Sequence, residues 1–201
     1  MPAGRIDQSL YIGAQGGIEL LNASTLYKPG ELGGQIQING KGYQLVQLDS
    51  GATSATPAGA PVCGSVAYWK SRPSYIVTND IRFAEGYTTG TTGQGANSVA
   101  GVFCQTATGA NVAGTATLTA GYYGVIQQRG THVGIYTNAT TASGPDQWLV
   151  SDTANTGKAA AVALATAPAY TPIGRATAAT GAVTASYTPA KLGGFDLVDV
   201  P

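Results

Sequence analysis

Residues Leu118–Tyr136, LTAGYYGVIQQRGTHVGIY, hold two runs rich in Val, Ile and Tyr on either side of Gln128-Arg129-Gly130-Thr131. Such runs around a polar, Gly-containing break predict a β-hairpin. Similar short runs extend from it in both directions. Upstream, Gly114–Thr119 and Ser98–Gln105 (SVAGVFCQ) read as strands, as do Ser74–Thr78 and Val62–Lys70 (VCGSVAYWK). Further up, Gln35–Ile38 alternates polar and apolar residues, and Gly42–Asp49 returns after Asn39-Gly40. Asn-Gly is a strong two-residue hairpin signal, because both residues tolerate positive φ. Downstream, Gln147–Ser151, Ile173–Ala178 and Gly181–Tyr187 complete the series, and the tail Phe195–Val200 offers an edge strand.

One segment breaks the pattern. Lys158–Ala167 (KAAAVALATA) has the composition of a short helix ended by Pro168. The remainder predicts an all-β fold, a sandwich or small barrel of about ten short antiparallel strands separated by turn signals. Residues 31–201 form the β domain, open to division into two β subdomains. Residues 1–30 read as an extended N-terminal arm closed by Lys28-Pro29-Gly30. The arm carries Leu10, Tyr11, Ile12, Ile18, Leu20, Leu21, Leu26 and Tyr27. These apolar side chains argue for packing on something, and they form the candidate interface.

Charge narrows the function classes. Ten Lys and Arg balance ten Asp and Glu, and only 10% of the 201 residues are charged. Ordinary globular chains carry about 25%. A surface largely covered by other protein accounts for such a deficit, and so does an Ala/Thr/Gly-rich β protein with a neutral exterior. Zero net charge with scattered basic residues argues against nucleic acid or an anionic membrane as main partner. The N-terminal residues lack the apolar core of a secretory signal, and no run reaches the ~18–20 apolar residues of a membrane span. The expectation is a chain made in a cytoplasm.

The residues offer little for catalysis. His132 is the single histidine and lies beside the expected hairpin turn, with no nucleophile–base–orienter set around it and no GxSxG. The carboxylates are dispersed rather than paired as glycosidases need. Two cysteines, Cys63 and Cys104, and one histidine do not make a zinc set, and no calcium loop is present. Both cysteines sit in apolar runs and read as buried thiols, with a disulfide left open by their spacing. The Gly/Thr-rich stretch Glu85–Asn97 lacks the Lys-Ser/Thr that closes a phosphate loop. Asn138-Ala139-Thr140 has the spacing of a glycosylation acceptor, read as coincidence in a chain without a secretory signal. Trp69 and Trp148 are candidate sugar-stacking platforms, with core or cross-strand packing as the competing role. The expectation is no enzyme, no cofactor and no metal.

The order YQLVQLDSG, a Gly/Ala/Pro loop, GSVAYWK, YIVT, NSVAGVF, AGYYGVIQQRG and IGRATAATGAVTASY, spanning Gly33 to Tyr187, resembles the head decoration, or cement, proteins of tailed bacteriophages. The resemblance implies a non-enzymatic virion protein on the outer surface of an expanded capsid. It implies binding to the major capsid protein, often as a homotrimer, and folding in the host cytoplasm without disulfides. Another virion component, such as a head-fibre base or tail piece, and a carbohydrate-binding β module are the alternatives.

Overall fold

The computed structural model of the protein describes residues 32–38, 40–49, 61, 64–87, 98–104, 120–121, 123–138, 144–152, 157–162, 172–178 and 186–193. Among them are ten strands and a single 3₁₀ turn, Ile81–Phe83, with no α-helix. The strands are β1 (Gln35–Ile38), β2 (Lys41–Leu48), β3 (Val66–Ser71), β4 (Ile76–Thr78), β5 (Val99–Phe103), β6 (Tyr123–Thr137), β7 (Trp148–Ser151), β8 (Ala159–Val162), β9 (Pro172–Ala176) and β10 (Ser186–Leu192). The all-β expectation therefore holds. The arm, the strand expected at Gly114–Thr119 and the tail Phe195–Val200 lie outside the described residues.

The hairpin expected at Leu118–Tyr136 is not a hairpin. Tyr123–Thr137 is one continuous strand of 15 residues. Its first half pairs antiparallel with β2, from Gln47↔Tyr123 to Gly42↔Arg129, and with β5 at Val102↔Gln127 and Phe103↔Ile126. Its second half pairs with β10, from Leu192↔Gly130 to Ser186↔Thr137. The polar break Gln128–Thr131 marks the point where the strand leaves one sheet for another. Gly130 makes the crossing at φ +87°, and a Cβ there would lie 2.9 Å from the Gly40 carbonyl oxygen and from Lys41 Cγ. Glycine is needed for both the left-handed backbone and the close approach of the β1–β2 turn. Gln127 braces the bend, its Nε2 donating to the carbonyls of Arg129 (2.8 Å) and Thr131 (3.2 Å).

Two sheets share this strand. In the first, the pairings β2–β4–β3–β5–β6 return to β2 and close a ring, with β1 attached outside β2. In the second, the order is β6–β10–β9–β7–β8, and β8 touches β6 again at Thr137↔Ala159. The pairings are antiparallel except for β2–β4 and β6–β8, which are parallel. The helix expected over Lys158–Ala167 is replaced, within its described residues, by β8. Each of the four β8 residues pairs with β7, from Ser151↔Ala159 to Trp148↔Val162. Alanine's helix preference is a few tenths of a kcal/mol per residue and yields to tertiary pairing. β10 lies later than the expected Gly181–Tyr187 strand and runs through Pro189, which sits at a register shift between Thr188 and Ala190. A bulge is where a strand accommodates a proline.

Burial follows the two sheets. Along β3, Ala67 and Trp69 join Val46, Leu48, Val77, Ala100, Phe103 and Ile126 in a core drawn only from the ring strands. The alternate residues Val66 and Tyr68, with Val102 of β5, face the second sheet, where Ile135, Leu149, Ile173, Leu192, Ala159, Ala176 and Ala190 meet them. Both faces of β3 are buried, so VAYW reads as a continuous apolar run.

Candidate functional site

The eight apolar arm residues from Leu10 to Tyr27 expected to form an interface lie outside the described residues. His132 sits in mid-strand opposite Ala190, not at a turn. Trp69 is buried in the ring core, which removes it as a sugar platform. Cys104 is buried, and its thiol donates to the Val102 carbonyl at 3.5 Å.

The carboxylates of the first sheet have internal partners. Asp80 is buried and caps the 3₁₀ turn, accepting from the Arg82 backbone N–H at 3.0 Å and from Arg82 Nε at 2.9 Å. Those bonds hold the Arg82 guanidinium above its ordinary pKa. Asp49 is paired with Lys70, and Glu85 accepts from the Arg72 backbone N–H at 3.4 Å. This arrangement fixes loops. Among the described residues no three His, Cys, Asp or Glu side chains gather as metal ligands would.

Between the sheets lies a buried polar edge. Asn138 donates its side-chain amide to Asp152 and is almost fully buried. An acceptor asparagine for a glycan must be exposed, so this geometry agrees with reading the Asn138 triplet as coincidence. Tyr68 is buried, and no described group meets hydrogen-bond geometry with its hydroxyl oxygen. Burial pushes the Tyr68 phenol well above its ordinary pKa. The Ser151 hydroxyl opposes that shift, and Asp152 and Asp80 add to it.

The most site-like surface is the outer face of the second sheet. Direct cross-strand partners place their side chains on the same face. Val162↔Trp148, Trp148↔Arg175, Arg175↔Lys191 and Lys191↔Thr131 therefore form one row across five strands. Arg175, Lys191 and Thr131 are exposed and Trp148 is half-buried. The Arg175 guanidinium lies over the Trp148 ring, 4.1 Å from its centre, which covers the indole face that a sugar would stack on. The next row, Ala161, Leu149, Gly174, Leu192 and Gly130, faces the core. Sequence reasoning missed the outer row because it joins strands far apart in the chain. The available signal was a single charge between small or apolar neighbours in each strand, Gly174-Arg175-Ala176 and Ala190-Lys191-Leu192.

No known family model matches the chain, and no curated protein is detectably similar to it in sequence.

Proposed function

We propose that the protein is a structural virion component that binds the outer surface of a tailed-bacteriophage capsid. In this reading it cements neighbouring major capsid protein subunits and stabilises the expanded, DNA-filled head, without catalysing a reaction. The carrying observation is charge economy on a β scaffold. Only 10% of 201 residues are charged, and in the first sheet Asp80 and Asp49 are held by Arg82 and Lys70. Few free charges suit a surface that is to be covered, since an unpaired charge buried at an interface is costly. The order of sequence segments from Gly33 to Tyr187, which resembles that of decoration proteins, supports the same reading.

The physics of cementing asks for area and multiplicity rather than a reactive group. A stable contact buries roughly 1,200–2,000 Å² in total. A homotrimer that engages three subunits makes its second and third contacts intramolecular, which multiplies weak affinities. The test is co-sedimentation with expanded and unexpanded shells of the virus that encodes the chain, with light scattering on the free protein. Trimers that sediment with expanded shells are the expected result. Failure to bind either shell overturns the reading.

A further inference from the structure

We propose that the exposed row on the outer face of the second sheet, centred on Arg175 and Lys191, docks a carboxylate-bearing protein surface. The inference rests on the capsid-binding reading for the identity of that protein, and on the geometry alone for its chemistry.

Charge is unevenly distributed over the described residues. At the β3–β4 side of the first sheet, Lys70 and Arg82 pair with Asp49 and Asp80, and Glu85 accepts from the Arg72 backbone N–H. The other described charges are Lys41, Lys158, Arg129, Arg175 and Lys191, against only Asp146 and Asp152. Asp152 accepts from Asn138, and Lys158 lies over Tyr136 at 4.8 Å. Asp146 stands at the border of the row, where its backbone N–H donates to the Ala176 carbonyl at 2.8 Å. Of these cations, Arg175 and Lys191 stand directly opposite each other on β9 and β10. Neither Arg175 nor Lys191 forms an ion pair with a described residue.

The geometry selects among anions. Neighbouring strands lie about 4.8 Å apart, so Arg175 and Lys191 present two cations at closely spaced, fixed positions. The Trp148 ring lies against the Arg175 guanidinium, and the arginine fork is the group that binds a carboxylate bidentately. Nucleic acid fits less well. Single strands need open aromatic faces for base stacking, and the indole face is already occupied. Affinity for phosphate backbones also grows with the number of cations along a track, and this row is short.

The experiment compares wild type, the double variant Arg175→Glu/Lys191→Glu and the control Arg72→Glu for binding to expanded shells at increasing salt. Retention on immobilised poly-L-glutamate and on double-stranded DNA is measured in parallel. Expected are a loss of at least tenfold in shell binding and in poly-glutamate retention for the double variant, no change for Arg72→Glu, and weakening by salt. The neutral pair Arg175→Gln/Lys191→Gln should show an intermediate loss, and matching unfolding midpoints separate lost docking from lost folding. Equal shell binding by wild type and the double variant overturns the proposal, as does retention on DNA in preference to poly-glutamate. If no form binds shells, the capsid reading fails by itself. The poly-glutamate comparison then decides the docking chemistry: loss in the double variant supports it and equal retention overturns it.

Discussion

The two halves of β6 serve two differently built cores. The first half, Tyr123–Arg129, belongs to a closed ring whose interior holds Trp69, Phe103, Ile126 and Leu48. The second half, Gly130–Thr137, belongs to a sheet laid over the ring's outer face, where Ile135 meets Ala159, Ala176, Ala190 and Tyr68. The ring is filled by large side chains around a closed circuit. The layer between the sheets sets four alanines among Tyr68, Ile135, Leu149, Ile173 and Leu192, and it ends in buried polar groups. The second sheet's strands also return to β6 through β8, so the two regions differ in what fills them rather than in closure, and the first core depends on volume. The layer depends on close approach, and its outward face remains available for contact.

Filling and close approach fail in opposite ways, which gives the sharpest test of the contrast. Trp69→Ala should cost about 3–5 kcal/mol, because a large ring residue leaves a cavity that a closed circuit cannot collapse around. Ala176→Leu should cost about 1–3 kcal/mol through overpacking, because the added carbons must push the sheets away from each other. Denaturant unfolding of both variants measures the difference. If Trp69→Ala is nearly neutral while Ala176→Leu is severe, the ring is not the volume-limited core described above.

The crossing point tests whether the two halves are one unit. Gly130→Val puts a β-branched residue at φ +87° and drives its side chain against Gly40 and Lys41. Left-handed strain and overpacking together make roughly 2–4 kcal/mol. Both cores hang from this strand, so unfolding followed by the fluorescence of Trp69 in a Trp148→Phe background and by backbone circular dichroism should shift together. A shift in one signal alone would mean that the ring and the second sheet unfold independently.

The same residue shows how far the fold was legible. Asn39-Gly40 announces the β1–β2 turn, and Gly40 has φ +75° as that signal requires. Gln128-Arg129-Gly130-Thr131 carries the same local chemistry, yet it spans a crossing between sheets. A turn and a crossing both need polar, glycine-permissive backbone, and only the distant partners β2 and β10 distinguish them. Ala159–Val162 departs from its helical composition for a related reason, since its identity is set by β7 rather than by its own propensity. Core packing is one of the two roles that the residues around Trp69 allow, and the structure selects it. The Trp148–Arg175–Lys191 row had no sequence-local form, because its members come from three strands whose order is not written in the chain.

The smallest effect at neutral pH belongs to two tyrosines, and it separates the regions by pH. Tyr43, on β2, is pushed up to about 12, by burial first and then by the Cys104 thiol. Tyr68, between the sheets, is pushed up further still, mainly by burial. In the unfolded chain both ionise near pH 10, roughly the value of a free phenol. A phenol whose pKa is raised by folding favours the fold fully below that value, and its contribution is lost as pH rises through the folded pKa. Stability should therefore be flat up to about pH 10 and fall above it, with tyrosinate absorbance rising late and together with loss of circular dichroism. Tyr68→Phe removes a hydroxyl that has no hydrogen-bond partner among the described residues, so its cost at neutral pH should stay within about 1 kcal/mol. The variant should also flatten the alkaline decline, leaving the share due to Tyr43. An unchanged decline would place the pH-sensitive contact at Tyr43, and a large loss at neutral pH would mean that the phenol has a partner holding the two sheets together.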